Sequence, residues 1–134
     1  MHTKSVLNHS DVEKIIAACR DEAMCNKWAV TIVVVDDGAH PLGMLRLDGC
    51  PQISAYIASD KARTAALGQR ESKVYEDMIT AGRTAFLSAP LNSMLEGGVP
   101  IIVDGKVIGA VGVSGVKSEQ DVQVAKAGIA TVKP

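Results

Sequence analysis

Aromatic residues are scarce in this chain, with one Trp, two Tyr and one Phe in 134 residues. Basic charge is not in excess either: 14 Lys and Arg are scattered against 15 Asp and Glu, for a net charge of −1. A nucleic-acid surface needs a basic face and usually stacking rings, so no nucleic-acid partner is expected. Cysteine is limited to Cys19, Cys25 and Cys50, odd in number and without a C-x-x-C, which argues against a zinc site and a disulfide framework. Free thiols predict a reducing compartment, the cytoplasm. No apolar run reaches the length of a membrane span, so no membrane partner is expected. The opening stretch MHTKSVLNHSDVEK lacks the apolar segment of a secretion signal. With so few rings, the core must come from Val, Ile, Leu, Met and Ala. A chain of this length reads as one domain, residues 1–134, burying roughly 68% of its unfolded surface.

What is present has a clear period. Ser10 and Glu13 match a capping box, and Val12, Ile15, Ile16, Cys19 and Ala23 follow at helical spacing, which predicts a helix over 11–25 closed near Asn26. Ala29 to Val35 is apolar on both faces and β-branched, as a central covered strand is. Leu42 to Leu47 pairs back on it. Pro51 to Leu67 predicts a second helix closed by Gly68, with Ala55, Ala58, Ala62 and Ala65 forming a stripe that lets it lie close to a neighbour. Ser72 to Thr80 predicts a shorter helix, and Phe86 to Pro90 either a short strand or an extended loop. Asp104-Gly105, set between IIV and KVI, is a strong hairpin signal that makes Ile101–Val103 and Lys106–Val113 antiparallel partners. Ser118 and Asp121 form a second candidate capping box, opening a last helix to about Ile129. The order α-β-β-α-α-β-β-α predicts an antiparallel α+β fold.

The glycine-dense stretch GGVPIIVDGKVIGAVGVSG, Gly97 to Gly115, raises the question of a phosphate loop. Gly109, Gly112 and Gly115 are spaced by three, which is not G-x-G-x-x-G, and too little chain follows for a dinucleotide unit. Strand glycines instead admit a bulge or the close approach of a helix or flat ligand. Gly115 directly after Ser114 breaks the nucleophile-elbow spacing G-x-S-x-G. In ASDKARTAA, Lys61 and Arg63 on a small-residue helix are either carboxylate-binding charges or an ordinary solvated face. Cys19 and Cys25 read as inert thiols in or beside the core.

The segments VVVDDGAHPLGMLRLDG, ASDKARTAA, GGVPIIVDGKVIGAVGVSG and EQDVQVAKAGI resemble, in order and spacing, the GlcG/HbpS family. That family also includes the C-terminal domain of PduO-type corrinoid adenosyltransferases. The resemblance implies a profilin-like fold with a five-stranded antiparallel sheet flanked by helices, assembled into homo-oligomers of four or eight. It implies a tetrapyrrole-binding accessory protein, for haem or a corrinoid, beside glycolate or glycerol and diol metabolism. The matched positions are Arg46, Asp48 and Gly49; Lys61, Arg63 and Thr64; Gly97, Gly98 and Pro100; and Gly112, Ser114, Gly115 and Asp121. Cys50 departs from the usual alanine, and GVKS from a further glycine after Gly115. No matched position supplies an iron ligand, so a bound haem would depend on His9 or His40, imidazoles outside the extreme N-terminus. Two alternatives stay open. One is a small enzyme acting on a carboxylate or carbonyl metabolite through Lys61, Arg63 and Thr64. The other is a structural oligomer supporting a partner enzyme.

Overall fold

Asn8, and not Ser10, opens the first helix in the computed structural model, which describes residues 1–133. The Asn8 side chain accepts from the Asp11 N–H at 2.8 Å, and the Asp11 carboxylate accepts from the Asn8 N–H at 3.0 Å. The earlier start places Leu7 and Val12 at the two positions of a hydrophobic staple, and both are core residues. Burial of Leu7 explains why Asn8 wins the cap.

Helix α1 (His9–Cys25) leads to strands β1 (Thr31–Asp36) and β2 (Pro41–Arg46), then helices α2 (Ile53–Gly68) and α3 (Lys73–Thr80). A short 3-10 helix (Thr84–Ser88) precedes strands β3 (Gly98–Val103) and β4 (Lys106–Ser114) and helix α4 (Ser118–Ile129). The four strands form one antiparallel sheet in the order β2-β1-β4-β3. The fold is α+β, as expected, but the sheet has four strands among the described residues, not five. The candidate for an extra strand, around Phe86, curls into the 3-10 helix because the Phe86 ring stacks on Tyr75 with centroids 5.0 Å apart.

Burial along β1 alternates between two cores. Ile32 and Val34 join residues of α1 and α4 on one face, while Val33 and Val35 join Ala58, Ala62, Ala65 and Ala66 of α2 on the other. The hairpin between β3 and β4 turns at Asp104 and Gly105, with φ of 51° and 74°, the left-handed pair that a type I′ turn requires. Gln69 in a left-handed conformation, and not Gly68, ends α2. Gly68 is still helical and leaves room for the Tyr75 ring. Helix α4 also differs from expectation. Lys117 is its N-cap, the Gln120 side chain accepts from the Lys117 N–H, and Asp121 is drawn inward.

Candidate functional site

Gly98 of β3 and Gly112 of β4 are there for a helix backbone. A Cβ at Gly112 would stand 2.1 Å from the Ala58 carbonyl oxygen and 2.5 Å from the Ala62 nitrogen. One at Gly98 would stand 2.1 Å from the carbonyl oxygen of Lys61. The alanine stripe and these glycines together bring α2 onto the sheet at backbone contact.

Lys61 lies within that contact and is 4% exposed. Its Nζ donates to the Val113 carbonyl at 2.9 Å and to Asp121 Oδ2 at 3.1 Å. Asp121 is likewise buried, and its other oxygen accepts from the Val116 N–H at 3.2 Å. Burial pushes the Asp121 carboxyl up to about 6, against the pull of the Lys61 ammonium, which favours the charged form. Gly97 leaves space for the lysine, since a Cβ there would stand 2.7 Å from Nζ. An exposed, ligand-directed or solvated Lys61 was the expectation; the structure makes it half of an internal ion pair. The signal was present in the sequence. Ala58 and Ala65 stand three before and four after Lys61, which places it on the buried stripe.

The structure brings Lys61, Gly97, Gly98, Gly112 and Asp121 together and disperses the other expected positions. Thr64 is buried with its hydroxyl unpartnered, and Pro100 is buried in β3 opposite Ala110. Ser114 ends β4, and its carbonyl faces the Cys50 thiol at 3.8 Å. Cys50, Ser54 and Thr31 form a buried polar chain, with Sγ to Oγ at 2.9 Å and Oγ to Oγ1 at 2.8 Å, which sequence reasoning did not foresee. Arg46 is exposed at the end of β2, on the rim of a depression shared with Asp48 and Gln52. Arg63 is half-buried and donates to the Pro90 carbonyl at 2.9 Å. Cys19 is buried, and burial pushes its thiol up to about 12 against a backbone hydrogen bond from Gly128.

His9 is the exposed first residue of α1. His40 is exposed in the β1–β2 turn, with Nδ1 at 3.0 Å and 3.1 Å from the two Asp36 oxygens. Burial raises the Asp36 carboxyl, but hydrogen bonds from the His40 and Gly38 N–H groups and the His40 ring together outweigh it, leaving it below its ordinary value. An apolar groove of about 430 Å³ runs between α3 and the chain at 87–95, lined by Ile79, Leu87, Leu91, Met94 and Leu95 with Glu76 at its edge. Neither His9 nor His40 borders it. Among the described residues, no group of three or more His, Cys, Asp or Glu side chains is placed to hold a metal ion, and no helix is long and apolar enough to cross a membrane.

Residues 7–130 match the family described as haem degrading protein, HbpS-like. Protein GlcG of Escherichia coli strain K12 is 57% identical over 114 residues, 85% of each chain. The crystal structure of protein ORFY of Klebsiella pneumoniae superposes with a TM-score of 0.89 at 26% identity, covering 99% of this chain and 97% of that one. A double mutant of Streptomyces reticuli HbpS gives 0.88 at 26%, covering 100% and 92%.

Proposed function

The chain belongs to the HbpS-like family, and on that premise we propose that it is a cytoplasmic tetrapyrrole-binding accessory protein with haem as its ligand. The observation that carries this reading is the family match across residues 7–130. Haem asks a protein for an axial ligand, an apolar face and partners for its propionates. His40 suits the first role. Asp36 holds its Nδ1, as carboxylates commonly hold ligating imidazoles, and this leaves Nε2 for iron. Exposed Leu42 and Met44 on the adjoining strand offer apolar surface, and Arg46 at its end offers a fork for a carboxylate. His9 is the second imidazole in reach of solvent. These residues fit a haem laid against the surface, since the apolar groove contains no imidazole. Bound haem would supply iron redox chemistry; the chain's part is to hold and orient it.

Homo-oligomers of four or eight, and service to glycolate or glycerol and diol metabolism, belong to the same reading. The enzyme alternative has less support, because Lys61 and Thr64 are both buried.

Haemin added to the purified protein should give a Soret band whose position shifts in His40→Ala. Asp36→Ala should weaken binding about 10–100-fold. A cobalamin titration tests the corrinoid alternative. Absence of a spectral change with haemin would remove haem as the ligand.

A further inference from the structure

Residues 78–95 carry no acidic side chain, an interval bounded by Asp77 and Glu96. Three arginines converge on the 3-10 helix at its centre. Arg83 directly precedes that helix, and its guanidinium lies over the Phe86 ring, 5.8 Å from the centroid. Phe86 stacks in turn on Tyr75, and Arg70 lies over the Tyr75 ring, also at 5.8 Å. Arg63 reaches the same segment from α2 through the Pro90 carbonyl. Among the described residues, none of the three forms an ion pair with a carboxylate. Two neighbouring acids are already engaged, Glu71 with Lys126 and Asp77 with Lys73. The stacked rings hold the exposed Arg70 and Arg83 forks in place, so they lose little freedom on meeting an anion. Beside these charges runs the apolar groove between α3 and residues 87–95, where Leu87 is 62% and Leu95 42% exposed. Of the residues lining it, only Glu76 is charged.

We propose that the groove and its three arginines form a docking surface for an acidic segment, carrying apolar side chains, of a different protein. Apolar side chains of that segment enter the groove and cover Leu87 and Leu95. Its carboxylates meet the guanidinium forks, which pair bidentately with such groups. Arginine beside rings and large apolar side chains is the composition that protein interfaces concentrate. The charges disfavour a second copy of this face as the occupant, because a two-fold axis would bring two cationic patches together. His40 takes no part, so the proposal stands or falls separately from the haem reading.

A phage-displayed library of random short peptides, selected on the purified protein, supplies the probe. Recovered sequences should be rich in Asp and Glu and carry Leu, Ile or Phe. The leading peptide, followed by fluorescence anisotropy, should bind at least about tenfold more weakly to Arg83→Glu and to Arg70→Glu. Leu87→Asp should weaken it as well, and added salt should lower its affinity for the wild type. Glu76→Gln should leave binding unchanged or strengthen it. These side chains are largely exposed, so circular dichroism and melting should stay those of the wild type. Should a charge reversal unfold the chain, Arg83→Gln removes the charge and keeps the stem beside Phe86. Haemin titration of the same variants should match the wild type. Recovery of no peptide above background, of basic peptides, or of peptides that bind the arginine and leucine variants undiminished would each overturn the proposal. Loss of haemin binding in Arg83→Glu would also overturn it, by making the patch a site for propionates.

Discussion

On the α1–α4 side of the sheet, Ile15, Ile32, Ile101, Ile108 and Val124 fill the core with branched side chains. On the α2 side, Val33, Val35 and Ala110 meet Ala58, Ala62, Ala65 and Ala66. The first face is packed by volume, and large side chains set the spacing of its layers. The second is packed by proximity, because removing side chains from both partners lets the helix backbone reach the strands. Close-packed interiors tolerate little change in either case, but they resist different changes. A charged pair, Lys61 of α2 with Asp121 of α4, links the two faces.

The same substitution should therefore cost different amounts on the two faces. Gly112→Ala drives a methyl into the Ala58 and Ala62 backbone, which cannot rotate away, and should destabilise by on the order of 4 kcal/mol or more. Gly43→Ala, on the α1 side, meets only the Ile16 Cδ1 and Val12 Cγ1 methyl groups, at 2.7 Å and 2.9 Å. It should cost about 1–3 kcal/mol. Urea unfolding of both variants measures the contrast, and equal losses would erase it.

Next in size is the ion pair. Lys61→Met should cost about 3–5 kcal/mol at neutral pH, since it leaves Asp121 buried without its cation. Adding Asp121→Asn should recover part of that loss. A double variant that loses the sum of the two singles would mean that the groups are not coupled.

The smallest effect is a pH dependence. The folded pKa of Asp121, about 6, lies above its ordinary carboxylate value, so the folded state holds this proton more tightly than the unfolded chain. Its contribution is complete below the ordinary range and is lost as pH rises through about 6. Thermal melts should therefore show wild type losing ground to Asp121→Asn between about pH 4 and pH 6. A difference that is flat across this window would contradict the burial of the carboxyl.

Much of the architecture was legible because local chemistry decided it. The Asp104–Gly105 turn, the doubly covered strand through Val35 and the alanine stripe each follow from residue type and period. The first cap was misread because Ser10 and Asn8 both satisfy local rules, and only burial of Leu7 separates them. The short segment at Phe86 was ambiguous for a similar reason, its shape depending on a ring more than ten positions earlier. At the site, the glycine pattern left a bulge, a helix or a flat ligand open at Gly112, and the structure has the helix there. The pairing of Lys61 with Asp121 spans 60 positions and joins two helices on opposite sides of the sheet, so no local window contains it. The Cys50–Ser54–Thr31 chain was hidden in the same way.

Lys61 reaches past the end of the sheet to a carboxylate at the start of α4, and between them it also holds the Val113 carbonyl of β4. One amine thus fastens three layers like a rivet through stacked plates. Helix α2 cannot peel away without stranding a charge beneath α4, and α4 cannot lift without doing the same to α2. Local opening of α2 or of α4 alone is thereby disfavoured.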